Sequence, residues 1–168
     1  YADAQPDLTE AEQELADAEA ELADAKAQLD DAQKQYDAGL AQYLLGMDQY
    51  QQGLAQIEAT ITSTAQSTAA ETAAQLAQAG LAQAGILPGN PLYEALYQQA
   101  YDQAHAQVYD TVYAQVQAQV YASDAYAQLL AGKEELDVTL VILEASKREL
   151  DSGWAEYNEG YAAYQDGL

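Results

Sequence analysis

The chain has 168 residues, no cysteine and a formal net charge of -23, because 28 acidic residues outnumber five basic ones. Without cysteine there is no disulfide framework, thiolate metal site or thiol nucleophile. So few Lys and Arg residues argue against a nucleic-acid or anionic-lipid surface, which needs clustered basic side chains. We interpret the acidic residues as keeping an elongated surface in solution.

The chain begins with Tyr1 and has no basic, apolar leader, so we expect it to be a piece of a longer protein. No run approaches the roughly eighteen apolar residues that a membrane span requires. The most apolar stretch, Val138 to Leu143, is short and contains a threonine. No membrane span is predicted.

The first element is a long helix. Residues 1–6 are predicted to be a frayed lead-in, with Asp7 or Thr9 starting the helix. From there to about Ala59 a large residue recurs every seven positions, and a small residue follows three places later, which is the pattern of a coiled-coil helix on the order of 75 Å long. The large residues are Leu8, Leu15, Leu22, Leu29, Tyr36, Tyr43, Tyr50 and Ile57, and the small ones are Ala11, Ala18, Ala25, Ala32, Gly39, Gly46 and Gly53.

The heptad stops between Thr60 and Asp124. The helix is expected to continue until Gly80 or Gly85 ends it, and a break follows in which Asn90 is the predicted N-cap and Pro91 the first helical residue. The next helix has two stripes of period four, so it is amphipathic and packs on another element. The stripes are Tyr93, Tyr97, Tyr101 and His105, and Val108, Val112, Val116 and Val120.

The last forty residues repeat the seven-residue pattern. Ser123 and Asp124 either cap a third helix, or the preceding helix runs straight into it. Glycine within a helix costs about 0.5 to 1 kcal/mol relative to alanine, so glycines at heptad spacing indicate close approach of a second helix. The large residues are Leu129, Leu136, Leu143, Leu150, Tyr157 and Tyr164, and the small ones are Gly132, Thr139, Ser146, Gly153, Gly160 and Gly167.

The order of residue sizes predicts how the two heptad helices pair. Each begins with leucines and ends with tyrosines, so an antiparallel arrangement keeps the volume of each layer roughly constant, whereas parallel pairing of identical chains stacks Tyr on Tyr. A slip of one heptad stays open. The predicted facing layers lie near Leu22 and Tyr157, Leu29 and Leu150, Tyr36 and Leu143, and Tyr43 and Leu136.

The predicted fold is therefore all-α: a long antiparallel two-helix coiled-coil hairpin, the stalk, with a small helical head at its tip. Residues 1–59 form the first stalk helix, 60–124 the head and 125–168 the second stalk helix, in one continuous domain. Tyr1 and Leu168 are expected to lie together at the far end. The predicted seam consists of Leu22, Leu29, Tyr36, Gly39, Tyr43, Gly46, Leu136, Leu143, Leu150, Gly153, Tyr157 and Gly160.

A second stripe lies beside this seam. It is either a wider flank of the seam or a face for another chain, so a homodimer is an open alternative. Its residues are Leu40, Met47, Leu54, Trp154, Tyr161 and Leu168.

No catalytic site, cofactor or metal site is predicted. The carboxylate pairs Asp30-Asp31 and Glu134-Glu135 are read as a solvated face, because acidic residues occur throughout these helices. His105 is the only histidine, so a site with several histidine ligands is excluded within this piece. We interpret it as a member of the tyrosine stripe in a helix-helix contact, and the chain as non-enzymatic.

The predicted tip carries the candidate contacts with a partner. They are Ile86, Leu87, Pro88, Tyr93 and Tyr97, because apolar residues in a loop between helices are accessible to another protein. The alternative is a plain helix-helix turn.

Two stretches, ADAEAELADAKAQLDDAQKQYDAGLAQY (residues 16–43) and SGWAEYNEGYAAYQDGL (152–168), resemble the extracellular coiled-coil insertions of FtsX-like permeases. These belong to the MacB-type ABC transporter family of Gram-positive bacteria. The resemblance covers both predicted stalk helices, and similar heptads occur in YhgE/Pip-type membrane proteins and some MmpL-like exporters. It implies a domain at the extracellular face of the cell membrane, between transmembrane helices of a permease whose ATPase is a separate chain.

The leading functional expectation is a non-enzymatic stalk and head that transmits conformational change or recruits a partner. The expected partners are the parent transmembrane permease with its ATPase and a cell-wall or extracellular protein, with no nucleic acid. The alternatives are the extracellular coiled coil of a YhgE/Pip-type membrane protein and a surface adhesin or host-binding module.

Overall fold

The computed structural model describes residues 4–167, and their side chains from Thr9 onward. These residues form three α-helices and no strand: α1 (Ala4–Gln83), α2 (Tyr93–Tyr121) and α3 (Asp124–Gly167). The all-α, hairpin-type fold is confirmed. The expected meeting of Tyr1 and Leu168 lies outside the described residues.

Helix α1 begins earlier than the sequence predicted. Its first residue is Ala4, so Pro6 lies within the first turn and neither Asp7 nor Thr9 starts the helix. Proline is tolerated there because the first backbone N–H groups of a helix have no intrahelical acceptor. Asp7 and Thr9, which were predicted to start the helix, therefore lie inside it.

The chain forms two compact units, each made of parts of helices. Unit 1 consists of Tyr1–Met47 and Glu134–Leu168, and unit 2 of Asp48–Lys133. Helices α1 and α3 contribute to both. The functional division of the chain into residues 1–59, 60–124 and 125–168 stays a prediction.

Unit 1 is an antiparallel pair in which leucines of one helix pack on glycines of the other. Leu29 of α1 lies against Gly153 of α3, and Leu143 of α3 lies against Gly39 of α1. The contact positions descend along α3 as they ascend along α1, so the helices are antiparallel. The best-buried side chains of this unit are Leu143 and Leu150.

Unit 2 packs α1 against α2 with a different period. Every fourth residue of α1 is buried, and the facing positions of α2 are small or β-branched, so the two backbones can approach closely. The shift from period seven to period four explains why the heptad stops near residue 60. The buried residues are Ile61, Ala65, Ala69, Ala73, Ala77 and Leu81 from α1 and Ala104, Val112 and Val116 from α2.

A glycine terminates α1. The N–H of Gly85 donates to the carbonyl of Ala82 at 3.0 Å, and the N–H of Ile86 donates to the carbonyl of Leu81 at 2.9 Å. This is a Schellman motif, which requires a left-handed residue, and Gly85 has φ +73°. Of the two predicted end points, Gly85 is therefore correct, and Gly80 lies inside the helix.

Helix α2 begins two residues later than predicted. Asn90 accepts a hydrogen bond from the Leu92 N–H at 2.9 Å through its side chain and one from the Tyr93 N–H through its carbonyl. These bonds close a turn that contains Pro91, and the helix itself starts at Tyr93. Asn90 thus caps the turn before the helix, and Pro91 is not its first helical residue.

Helices α2 and α3 are separate, because Ser123 interrupts the chain between them. Its Oγ donates to the carbonyl of Val120 at 2.6 Å and accepts from the N–H of Tyr126 at 3.3 Å. The second bond is an N-cap to the third residue of α3. Of the two sequence alternatives, the capped third helix is the one observed.

Candidate functional site

Six aromatic rings form a continuous row along α2, in unit 2. Neighbouring rings are four residues apart, with centroids separated by 5.6 to 6.3 Å and planes inclined by 13° to 38°. Residues four apart are neighbours on a helix surface, so period four aligns their side chains. We call this row the aromatic ladder; it consists of Tyr93, Tyr97, Tyr101, His105, Tyr109 and Tyr113.

His105 is an internal member of the ladder. Its ring lies 5.9 Å from that of Tyr101 and 5.6 Å from that of Tyr109, and it is half-buried. No group of three or more His, Cys, Asp or Glu residues within 4–167 is arranged to hold a metal ion. The imidazole therefore occupies a tyrosine position, as the stripe predicted.

The ladder lies between the core and an acidic row. Tyr109 and Tyr113 pack against the buried cluster of Ile61, Val112 and Val116. On the outer side, Glu94, Asp102 and Asp110 each follow a ladder tyrosine by one residue and are exposed. Helix α2 has no Lys or Arg. One edge of the ladder is thus accessible to a partner, in a negative environment.

The loop of residues 84–92 adds two exposed leucines next to the ladder. Leu87 is 59% exposed and Leu92 is 64% exposed. Gly89 adopts φ +100°, a left-handed conformation that lets the chain turn sharply between them. The loop is held by its own backbone hydrogen bonds, so it presents these leucines in a defined conformation.

The five predicted contact residues have different environments. Leu87 and Pro88 are exposed, and Tyr93 and Tyr97 are half-buried members of the ladder. Ile86 turns inward and lines a pocket of about 270 Å³ with residues of both helices, including Leu81 and Leu96. Its side chain supports the Schellman motif, in which the residue after the glycine commonly packs on the last helical turn.

Three residues of this surface were not predicted from the sequence. Leu92 was not singled out, although it lies between Pro91 and Tyr93. Tyr109 and Tyr113 were not assigned to the tyrosine stripe, although they continue its spacing of four. The signal for the longer ladder was therefore present, whereas the exposure of Leu92 depends on where α2 begins.

The predicted seam residues of unit 1 meet mainly as leucine on glycine. A methyl group added at Gly46 would lie 2.6 Å from Cδ2 of Leu136, and one at Gly153 would lie 2.6 Å from Cδ2 of Leu29. The corresponding distance is 3.0 Å for Gly39 with Leu143 and 3.5 Å for Gly160 with Leu22.

In three of the predicted layers, both facing residues line the same cavity. Leu22 and Tyr157 line an open groove of about 1110 Å³. Another cavity, of about 480 Å³, is lined by Leu29 with Leu150 and by Tyr36 with Leu143. Leu136 lies on Gly46, within one turn of the predicted partner Tyr43, which is half-buried. The observed layers thus fall in the predicted heptad and not one heptad away.

Gly132 does not behave like the other seam glycines. A methyl group there would meet no side chain within 4 Å. The antiparallel register places Tyr50 across from it, but the tyrosine ring lies near the ammonium of Lys133, with 6.0 Å between Nζ and the ring centroid. The space that a small residue leaves in the heptad is therefore not filled by a facing side chain at Gly132.

Two side chains along the flank of unit 1, Lys26 and Tyr164, have raised pKa values. The hydrogen bond between Lys26 and Asp30, 2.7 Å long, and the nearby carboxylate charge raise the pKa of the Lys26 ammonium. Partial burial and, to a smaller extent, the charge of Glu19 raise the pKa of the Tyr164 hydroxyl. Both groups therefore keep their ordinary charge at neutral pH.

Among residues 4–167, no helix has an apolar stretch long enough to cross a membrane.

No protein-family model matches this chain, and no curated protein or solved structure was found to match it. The resemblance of residues 16–43 and 152–168 to permease insertions therefore stays an expectation.

Proposed function

We propose that this chain is a non-enzymatic helical domain at the extracellular face of the cell membrane, part of an FtsX-like ABC transporter permease. In this proposal the helix pair of unit 1 transmits movement of the permease. The loop of residues 84–92 and the aromatic ladder contact a cell-wall or extracellular protein.

The seam of unit 1 is the observation that carries the proposal. Leucines of both helices fit against glycines of the other, as Leu29 does on Gly153 and Leu136 on Gly46. Sliding one helix past the other would move each leucine off its glycine and onto a larger neighbour, which close packing resists. A helix pair locked in this way moves as one body, which is what a relay requires.

The working surface is proposed to be in unit 2. Leu87 and Leu92 are exposed, and the adjacent ladder supplies tyrosines, which are enriched at protein interfaces because they combine a large apolar ring with a hydroxyl. The acidic row of Glu94, Asp102 and Asp110 favours a partner with basic residues.

The deciding experiment removes this surface from the parent membrane protein without disturbing unit 1. Leu129 packs on Gly53, so α1 and α3 run side by side near residues 59 and 125. A short glycine-containing loop can join these two positions and replace residues 60–124. We expect the shortened protein to reach the membrane and bind its ATPase, and to lose transport or partner recruitment.

A finer variant tests the loop alone. Replacing Leu87 and Leu92 by serine removes the two exposed apolar side chains and leaves the helices intact, and Leu76→Ser, at a position 51% exposed elsewhere on α1, is the matched control. The double variant is expected to reduce partner recruitment, whereas the control leaves it unchanged. Full activity of the protein lacking residues 60–124 contradicts the proposed working surface.

The same exposed leucines also suit a surface adhesin, the second candidate. In that case the isolated chain binds a host protein or glycan directly, and the loop variant abolishes this binding. A parent protein that lacks transmembrane segments and an associated ATPase would favour the adhesin over the permease.

A further inference from the structure

Helix α3 carries an exposed apolar patch that extends from the side opposite the seam to its flank, where Ile142 borders the cavity shared with Leu29 and Tyr36 of α1. Val138, Val141 and Ile142 are 57%, 63% and 59% exposed. A helix turns about 100° per residue, so Val138 and Val141 lie away from the seam positions Leu136 and Leu143. We call these three residues the outer patch. It is an unusual surface for a helix, because exposed β-branched residues are weak helix formers and add apolar area to the solvent-facing side.

Opposite charges flank the outer patch symmetrically. Glu134 precedes Val141 by seven residues and Arg148 follows it by seven, and both are exposed. Seven residues are close to two helical turns, so these groups share the face of Val141, about 10 Å on either side of it. The exposed Ala145 adds no bulk on this face.

This pattern is self-complementary. When a second copy of α3 lies antiparallel across the patch, Glu134 of each copy faces Arg148 of the other, and Val141 faces Val141. A two-fold axis through Val141 therefore satisfies both charges and covers the apolar residues, which is the condition for an isologous interface.

The distribution of charge over the chain favours this face for self-association. Two of the five basic residues, Lys147 and Arg148, lie within about two helical turns of Val141 on α3. Elsewhere the excess of acidic residues makes two copies repel each other. A strongly basic partner is less suited to the patch, because Arg148 and Lys147 would oppose it.

We infer that two copies of this chain associate through the outer patch of α3, antiparallel, about a two-fold axis at Val141. This inference does not depend on the proposed permease function.

Sedimentation equilibrium of the full 168-residue chain tests the inference. We expect the chain to be a dimer at micromolar concentration. Val141→Glu places two carboxylates together on the axis, and because opposing like charges cost several kcal/mol, the dissociation constant should rise about a hundredfold or more. Leu76→Glu, at an exposed leucine of unit 2, is the matched control and should leave the dissociation constant unchanged. Circular dichroism verifies that each variant is helical.

Charge exchange tests the antiparallel register. Glu134→Arg and Arg148→Glu each bring like charges together in the homodimer, so each variant should dimerise more weakly than the wild type. An equimolar mixture should form a heterodimer, because both flanking positions are then basic in the Glu134→Arg chain and acidic in the Arg148→Glu chain that faces it. The double variant E134R/R148E should regain the homodimer.

A single cysteine gives an independent measure of the axis. Since the chain has no cysteine, Val141→Cys introduces the only thiol, and oxidation should link two copies, because a disulfide requires β-carbons about 4 Å apart. Leu76→Cys should not crosslink above background. A wild-type chain that is monomeric at about 100 μM overturns the inference, as does a mixture of the charge variants that fails to associate.

Discussion

At the scale of single residues, the side chain that faces each seam glycine decides whether the glycine stabilises or destabilises the helix pair. A glycine in a helix costs about 0.5 to 1 kcal/mol relative to alanine, and this cost is offset only where another side chain occupies the space. Leu136 occupies it at Gly46, and Leu129 does so at Gly53. At Gly132 the facing residue is Tyr50, whose ring lies near Lys133 instead. Leucine is short and branched and fills the space over a glycine, whereas a tyrosine ring extends past it.

Alanine substitutions at Gly46 and Gly132 should therefore have opposite consequences. Gly132→Ala gains helix propensity without a collision, so we expect it to raise the free energy of unfolding by about 0.5 to 1 kcal/mol. Gly46→Ala brings its methyl group to 2.6 Å from Leu136 Cδ2, so the leucine must move. We expect Gly46→Ala to be less stable than Gly132→Ala by at least about 1 kcal/mol, as measured by urea denaturation.

A double-mutant cycle supplies the control for this comparison. Leu136→Ala removes the atoms that a methyl group at position 46 would meet, so the penalty of Gly46→Ala should largely disappear in that background. Equal effects of Gly46→Ala and Gly132→Ala on stability would show that the leucine contact does not restrict position 46.

At the scale of elements, α1 packs in two different ways. Its unit 1 portion alternates large and small residues with period seven, and its unit 2 portion buries alanines with period four. Ala65, Ala69 and Ala73 are completely buried. Buried alanines at this spacing leave no space for a longer side chain between α1 and α2.

The alanine stripe predicts a strong position dependence of Ala→Leu substitutions along α1. Ala69→Leu forces three additional carbons into a closed interface, and we expect it to lower the free energy of unfolding by about 1 to 3 kcal/mol. Ala79→Leu lies on the exposed side of the same helix, and its effect should be within about 0.5 kcal/mol. Thermal unfolding followed by circular dichroism measures both, and similar midpoints for the two variants would contradict the close packing of α1 on α2.

The heptad packing of unit 1 was easier to predict from the sequence than the alanine packing of unit 2. The heptad of unit 1 was readable because each repeat carries both a large and a small residue, so the register and the antiparallel direction followed from residue size. The alanine stripe of unit 2 was less distinct, because residues 60–85 contain alanines on other faces too, such as Ala79 and Ala82. For Ala65 and Ala69, it is the contact with Val112 and Val116 that distinguishes them from the exposed alanines.

The aromatic ladder and the outer patch also differ in how far the sequence alone reveals them. The spacing of four that defines the ladder is visible in the sequence as far as Tyr113, and the ring contacts show that Tyr109 and Tyr113 continue the row. The outer patch could not be found from the heptad alone, because the apolar residues between Val138 and Leu143 point to several sides of the helix. The exposure of the patch becomes clear only once Leu143 is known to be buried and Val141 is not.

At the scale of the whole molecule, charge repulsion opposes folding. The net charge is -23. Among the described residues, no polar or charged residue is buried. The ion pairs Lys26–Asp30, Lys34–Asp31 and Lys147–Asp151 are exposed and lie within single helices. Exposed pairs of this kind contribute little to stability, so the remaining acidic residues repel one another with few compensating contacts.

Screening by salt should therefore stabilise the chain. Raising NaCl from about 10 mM to about 150 mM shortens the screening length from about 30 Å to about 8 Å, so repulsion between neighbouring helices weakens. We expect the midpoint of thermal unfolding to rise over this range at a fixed protein concentration. A variant with glutamine at four exposed glutamates has fewer charges to screen, and its midpoint should be higher at low salt and rise less; the positions are Glu10, Glu12, Glu58 and Glu71. A midpoint that falls with salt would mean that the attraction of the few ion pairs outweighs repulsion among the acidic residues.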